Sequence, residues 1–158
     1  MQLYAGWSYH TKASTLTNNT TYLIVSGNSG TAYMLANNNG IGTKQIAINT
    51  NGTINTLADS DLEHCQWLYS NSAFKNNNQY LHVKISGNSS NRQYNLRLNS
   101  SATKWTCTIV GNGYNMQENN SGRYLVYSNN NFTTSSDAST IYFYYAMPSY
   151  IFADQVDA

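Results

Sequence analysis

The chain has 158 residues and a net charge of +1, with only 9% of its residues charged. This length suits one domain that buries a substantial core, so neither a metal nor a set of disulfides is needed to hold it together. Because the sequence has no broad basic region to neutralise phosphates or anionic lipid headgroups, its composition argues against nucleic-acid binding. Membrane insertion is not expected because no apolar run approaches the roughly 20 residues that a membrane span needs. Aromatic residues make up 13% of the chain, which is not the composition of a disordered protein.

Neutral polar residues replace the missing charge, with 24 Asn, 18 Ser and 16 Thr. Asn and Ser favour turns, Thr and Tyr favour strands, and the good helix formers Glu, Lys and Arg are scarce. The composition therefore predicts an all-β fold. The opening residues Met1–Tyr4 do not resemble a signal peptide, yet the neutral, Asn-rich surface suits an extracellular or cell-surface protein.

Three segments of the chain share one pattern, an Asn-rich turn followed by a Tyr-containing apolar strand and a second polar turn. They span residues 18–30, 76–90 and 119–131, and each contains Tyr-Leu. A tryptophan precedes each Tyr-Leu at a similar distance: Trp7, Trp67 and Trp105 lie 15, 13 and 19 residues before the tyrosine. This order predicts three related units.

Within the units the apolar residues alternate with period two, as half-buried strands require. In residues 104–109 this places Trp105, Cys107 and Ile109 on one face. The same alternation, with Gly and Asn turns between, predicts about twelve short strands. A single helical turn is expected at Asp59–His64.

Twelve strands in three related units resemble the β-trefoil family, and within it the ricin-B-like lectins. The resemblance implies one domain over residues 1–147, with units at about 7–62, 63–102 and 103–147, and a tail from 148 to 158, since Pro148 ends the regular pattern. It also implies that an aromatic residue of each unit packs near a three-fold axis. Those lectins often carry Gln-x-Trp, whereas this chain has Gln66 directly before Trp67. A sandwich or jelly roll is the competing all-β architecture.

The titratable residues do not form a recognisable catalytic set. Glu63 and Glu118 fall in turns of different units, and the three histidines are dispersed, so no carboxylate pair or nucleophile motif emerges. Residues 59–65 are rich in acidic side chains but lack the glycine and distal glutamate of a calcium loop, so we interpret them as a solvated turn. We expect no enzyme activity, no cofactor and no metal. Cys65 and Cys107 are compatible with one disulfide or with two buried thiols.

The candidate ligand site is predicted in the third unit, where residues 141–145 alternate. Burying Ile141, Phe143 and Tyr145 turns Tyr142 and Tyr144 outward, near Asp137 and the turn that begins at Asn129. Tyrosine offers a flat apolar face and a hydroxyl, while Asn and Asp bind sugar hydroxyls. Because Trp67 and Trp105 alternate in phase with core residues, we assign them to the core.

A second candidate site is predicted in the second unit. It consists of three outward-facing residues beside turns: His82, Asn95 and Arg97.

These observations predict a non-enzymatic carbohydrate-binding lectin, or the glycan-binding module of a surface protein or toxin. Neutral glycans fit the lack of charge, and repeated units or a homo-oligomer would add avidity. The alternative is a protein-binding trefoil, such as a protease inhibitor or receptor-binding domain, acting through the long segment Lys44–Leu62. A purely structural domain is the third reading.

Overall fold

The computed structural model describes the backbone of residues 3–152 and the side chains of residues 8–147. These residues form an all-β fold, and the short helical turn predicted near residue 60 is confirmed. In chain order the elements are β1 (Leu3–Lys12), β2 (Thr20–Ser26), β3 (Gly30–Asn37), β4 (Ile41–Ile48), α1 (Asp59–Cys65), β5 (Gln66–Ser70), β6 (Ala73–Asn76), β7 (Gln79–Ser86), β8 (Gln93–Asn99), β9 (Trp105–Val110), β10 (Gly113–Glu118), β11 (Tyr124–Ser128), β12 (Asn131–Ser135) and β13 (Thr140–Phe152).

Asparagine supplies many of the turns between these strands. Three two-residue turns have positive φ at both positions, namely Asn71-Ser72, Asn77-Asn78 and Asn129-Asn130. Turns of this kind match the right-handed twist of the flanking strands, and Asn tolerates the left-handed conformation better than most residues. The abundance of Asn is therefore explained in part by strand connections that need no glycine.

The strands form a nearly closed sheet. A run of six neighbours, β9–β10–β13–β2–β5–β6, circles back toward its start. Between β6 and β9 the sheet is joined by one backbone hydrogen bond, from Trp105 N–H to Ser72 O at 2.8 Å. Three hairpins, β3–β4, β7–β8 and β11–β12, extend from this sheet, and their second strands contact one another.

The main core lies inside the sheet and contains two of the tryptophans, as predicted. The Trp67 indole N–H donates to Leu35 O at 3.0 Å, and the Trp105 indole N–H donates to Leu81 O at 3.1 Å. Both indoles are almost completely buried. The side chain of Trp7 lies outside the described residues. The buried members of this cluster are Ala13, Tyr22, Ile24, Leu35, Trp67, Phe74, Leu81, Val83, Leu96, Trp105, Tyr114, Met116, Leu125, Phe132, Ile141 and Phe143.

A second apolar cluster lies on the other face of β2 and β13. Its buried members are Leu23, Val25, Ala32, Met34, Ala36, Ile46, Ile48, Ile54, Cys65 and Tyr144. The segment that leads into α1 contributes to it, since Leu57 and Leu62 pack against it and Ile54 is buried within it. Ile54 also exchanges two backbone hydrogen bonds with His10, each 2.9 Å long. The segment Lys44–Leu62 therefore packs against the sheet over this cluster.

The second cluster corrects one predicted side-chain orientation. Tyr144 was expected to face solvent, but its side chain is fully buried, and that prediction is wrong. The physical reason is that β13 has apolar neighbours on both faces: Ile141 and Phe143 face the main core, whereas Tyr144 faces the second cluster. Ile109 also departs from expectation, because it is 63% exposed where β9 extends beyond the core.

The last strand also runs past the predicted end of the regular pattern. β13 continues through Pro148 to Phe152 and pairs with β1. Pro148 lies opposite Ser8, at a register irregularity between Ala5 and Ser8. Proline lacks an N–H, so strands accept it at edges and bulges of this kind. Among the described residues, no helix has the length and apolar character needed to cross a membrane.

Candidate functional site

The structure separates the predicted third-unit residues. Tyr142 is half-buried on β13, and the Lys12 ammonium lies 5.3 Å from its ring centroid. Tyr144 cannot contribute to a surface site because it is buried, and its burial raises the pKa of its phenol to about 12. The predicted pair of neighbouring exposed tyrosines is therefore not formed, because only Tyr142 reaches the surface.

Asp137 and Asn129 are exposed and serve turns. The Asn129 carbonyl accepts a hydrogen bond from the Asn131 side chain at 3.2 Å, and its φ is 52°. The Asp137 N–H donates to the Ser135 hydroxyl at 3.1 Å. The contacts described for these two residues lie within their own turns, so the structure does not assemble them with Tyr142 into one site.

The predicted second-unit residues do come together, on the outer face of the β7–β8 hairpin. His82 lies directly opposite Arg97, and Asn95 lies opposite Lys84, two residues further along each strand. Both sequence neighbours of His82, Leu81 and Val83, are buried, so the outward direction predicted for His82 is confirmed.

His82 lines a cleft of about 440 Å³ at the end of this hairpin. Its other lining residues are Asn99, Ala102, Thr103, Lys104, Glu118, Asn119 and Asn120. The imidazole is held in place by a 2.7 Å hydrogen bond between His82 Nδ1 and the Thr103 hydroxyl. This contact leaves Nε2 as the ring nitrogen that is not engaged with Thr103.

The carboxylate of Glu118 forms the buried side of the cleft and organises the β10–β11 turn. Glu118 is 1% exposed, and its two oxygens accept backbone N–H bonds from Asn120 and Ser121. These bonds satisfy the charge within the turn, as buried carboxylates require. Asn119 in the same turn accepts a 2.6 Å hydrogen bond from the Thr106 hydroxyl, which leaves its side-chain NH₂ free to donate.

A second cleft, of about 250 Å³, shares Ala102 and Lys104 with the first. It contains Tyr80, which lies opposite Asn99 and on the same face of β7 as His82. The Lys75 ammonium lies 5.7 Å from the Tyr80 ring centroid. We call the two joined clefts the β7 groove, with Tyr80, His82, Asn99, Lys104 and Asn119 as its characteristic residues.

The chemistry of the β7 groove is that of hydrogen bonding. It offers one aromatic ring, an imidazole, amide groups, hydroxyls and the ammonium groups of Lys75 and Lys104. Glu63 lies on α1 and does not line either cleft, so Glu118 is the one carboxylate among the lining residues. An arrangement of this kind can bind and orient a polar ligand.

Sequence reasoning missed Tyr80, Asn99, Lys104 and Asn119. Tyr80 carried a usable signal, because it lies two residues before His82 and the strand period places both on one face. Asn99 and Lys104 carried none, because their positions depend on the β7–β8 register and on the fold of residues 100–104.

The remaining candidate groups do not extend the site. In the region that leads into β5, Asp61 pairs with Lys44 at 3.6 Å. Within residues 8–147, no cluster of three or more His, Cys, Asp or Glu side chains is placed to hold a metal ion. Cys65 and Cys107 are free thiols in different clusters, and burial raises their pKa values to about 11 and about 12.

Comparison of the chain with protein-family models, curated proteins and solved structures finds no match.

Proposed function

We propose that this chain is a carbohydrate-binding protein without enzyme activity, built as a β-trefoil, and that the β7 groove is its principal ligand site. The proposal places it outside the cell or at the cell surface. The observation that carries it is the groove itself, which combines the Tyr80 ring with neutral donors and acceptors such as Asn99 and Asn119. A pyranose presents this combination of an apolar face and a rim of hydroxyls.

The strand pairings support the trefoil part of the proposal. Apart from β1, the strands fall into three sets of four consecutive strands: β2 to β5, β6 to β9 and β10 to β13. In each set the first strand pairs with the second, and the second pairs with the third. The fourth strand of each set then returns to the first, by ladder pairing in two sets and by the Trp105–Ser72 bond in the other. We therefore place the units at about 20–70, 73–110 and 113–147, later in the chain than the sequence predicted.

Equivalent residues in these units support the same assignment. Trp67 lies opposite Tyr22 on the first strand of its unit, and Ile141 lies opposite Tyr114 in the same way. Trp105 occupies the corresponding place in the middle unit, where its indole bonds to Leu81 as that of Trp67 bonds to Leu35. All of these side chains belong to the main core.

A glycan array followed by two matched variants tests the ligand site. Asn99→Ala removes an amide from the β7 groove, whereas Asn95→Ala removes one from the same face of the same strand, roughly 13 Å away at about 3.3 Å per residue. Because a lost hydrogen bond typically costs about 1 kcal/mol, we expect Asn99→Ala to weaken binding of an array hit about fivefold or more. Asn95→Ala should bind normally.

The outcomes of this experiment separate the parts of the proposal. Equal binding by both variants and by His82→Ala would show that the β7 groove is not the site. Binding confined to sulfated glycans would contradict the expectation of neutral ligands. An array without any hit, with the folded state verified, would remove the lectin proposal.

The alternative of a protein-binding loop has less support. The segment Lys44–Leu62 would have to protrude, but Ile54 is buried and Leu62 packs against the second cluster. A segment engaged in this way has few apolar groups left to offer a partner.

A further inference from the structure

The outer edge of β9 is exposed as an unpaired strand edge. β9 forms a ladder only with β10, and the two-residue connection Gly111-Asn112 makes Val110 and Gly113 a hydrogen-bonded pair. The N–H and C=O groups of Trp105, Cys107 and Ile109 therefore point away from β10. The Trp105 N–H confirms this direction, because it bonds to Ser72 on that side.

The corresponding positions in the other two units are occupied. Tyr69 of β5 and Phe143 of β13 lie two residues after Trp67 and Ile141, as Cys107 lies two residues after Trp105. The Tyr69 carbonyl accepts the Asn19 N–H at 2.7 Å, and the Phe143 carbonyl accepts the Ala13 N–H at 2.7 Å. In the described part of the chain, the outward groups of Cys107 and Ile109 receive no such bond.

This edge also lacks the features that usually prevent strand association. Natural edge strands carry Lys, Pro or a covering segment. The outer side of β1 is covered at His10 by Ile54, whereas residues 105–110 contain no charge and no proline. Ile109 is 63% exposed and Val110 is 42% exposed, and they are two of the three large hydrophobic side chains on the described surface.

We propose that a second copy of this chain pairs with β9 along this edge, with the two β9 strands antiparallel about a two-fold axis at Thr108. In this register Cys107 of each copy faces Ile109 of the other. Over both copies these residues have four outward N–H and four outward C=O groups, which form four hydrogen bonds in two residue pairs. An axis at Cys107 would instead require Trp105, whose N–H is already bonded to Ser72. The open backbone groups therefore select the axis at Thr108.

The charge distribution favours a second copy as the occupant. Pairing about Thr108 places Lys104 of one copy opposite the uncharged Asn112 of the other, so no like charges meet. Exposed Val110 lies opposite Thr106, and Ile109 lies beside the apolar Cys107. A two-fold arrangement satisfies both edges with one contact and leaves no new unpaired strand. This inference is independent of the ligand proposed for the β7 groove.

Cysteine cross-linking tests the register directly. Directly opposite residues of a non-hydrogen-bonded pair have Cβ atoms about 4.5–5.5 Å apart, which is close enough for a disulfide after slight adjustment. Thr108→Cys should therefore form a covalent dimer on mild oxidation. Thr106→Cys is the matched control, because the two copies of residue 106 would be roughly 13 Å apart in this register. Both threonines are exposed. The buried native thiols should contribute little, since thiols with a raised pKa form little thiolate.

Sedimentation of the unmodified protein over a concentration series gives the second readout. We expect a monomer–dimer equilibrium that Ile109→Pro shifts to monomer, because this substitution removes an outward N–H without removing a bond to β10. Tyr9→Lys alters another exposed hydrophobic residue, which lies on β1 opposite Met147, and should leave the equilibrium unchanged.

Each result bears on the proposal. A covalent dimer that is about tenfold more abundant for Thr108→Cys than for Thr106→Cys supports it, because disulfide formation requires this proximity. A native protein that stays monomeric, together with equal cross-linking of the two variants, overturns it and leaves a foreign strand as the alternative occupant. A dimer that persists in Ile109→Pro, with that variant folded by tryptophan fluorescence, also overturns it.

Discussion

At the residue scale, the most consequential side chains are polar groups in apolar surroundings. The indoles of Trp67 and Trp105 each find a backbone carbonyl, and Glu118 finds two backbone N–H groups. Alternation along the strands predicted the burial of both tryptophans, but it could not reveal their acceptors, because Leu35 and Leu81 lie 32 and 24 residues earlier in the chain. The structural role of Glu118 was equally hidden, since it depends on the turn that follows it.

His10 is a buried polar residue whose ring lacks one hydrogen-bond partner. It is 2% exposed, its Nδ1 has no partner in the described part of the chain, and burial lowers its pKa. Below pH about 6.5 the unfolded chain binds a proton that the folded protein resists, so stability falls as the pH drops toward the folded-state pKa. This loss is absent above pH 6.5.

We therefore expect the free energy of unfolding from urea titrations to decrease between pH 7 and pH 5.5. The slope contributed by this residue should approach at most about 1.4 kcal/mol per pH unit. His10→Leu should remove that contribution, whereas His64→Gln, which replaces an exposed imidazole, should keep it. A slope that His10→Leu leaves unchanged would assign the pH dependence to other groups.

At the scale of elements, the sequence predicted strands better than it predicted their surroundings. The alternating residues of β7 lie as expected, with Leu81 and Val83 inward and His82 outward. β13 failed the same test at Tyr144, because a strand with apolar groups on both faces has no solvent side for alternation to identify. On the face of β13 that carries Tyr144, the covering cluster includes Ile54. The residue pattern of a single strand carries no information about a segment so distant in the chain.

Two glycines with similar backbone angles test how one loop fixes the β7–β8 hairpin. Gly52 and Gly87 have φ values of +85° and +82°, but a Cβ at Gly87 would lie 2.1 Å from Asn91 O, whereas one at Gly52 meets nothing within 4 Å. Gly52→Ala should cost about 1 kcal/mol, the usual penalty for a left-handed alanine. Gly87→Ala should cost at least about 2 kcal/mol more, because the clash involves backbone.

Thermal or urea unfolding of these two variants measures the difference. A larger loss is expected for Gly87→Ala, together with weaker ligand binding if the β7 groove depends on this hairpin. Equal losses would mean that the loop between β7 and β8 opens easily enough to accept the methyl group.

At the scale of the whole molecule, the fold has two apolar clusters that share β2 and β13. Composition and turn chemistry were enough to predict an all-β chain. The closure of the sheet depends on pairings such as β10 with β13 and β2 with β5, which no local pattern specifies. The segment Lys44–Leu62 was interpreted under the alternative function as a protruding loop because it is the stretch by which the first predicted unit exceeds the second. Its sequence alone does not show that Ile54 is buried.

The second cluster should unfold together with the main core. Ile54 is 1% exposed, so Ile54→Ala should lower the free energy of unfolding by about 2–4 kcal/mol in a single transition. Ile109→Ala, at an isoleucine that is 63% exposed, is the matched control and should change stability by less than about 0.5 kcal/mol at dilutions where the protein is monomeric. Two separate transitions for Ile54→Ala would show that the segment over the second cluster is an independent layer.

The single hydrogen bond between Trp105 and Ser72 has a mechanical consequence for the nearly closed sheet. Every other junction of the six-strand ring is a ladder of two or more residue pairs, so this one resists separation least. Transient local opening should begin between β6 and β9 and admit solvent beside the Trp105 indole, while the other strand pairs of the ring remain hydrogen-bonded. Residues 73–110 would then move relative to the rest of the sheet, and a ligand that contacts both Tyr80 and Lys104 would oppose this opening.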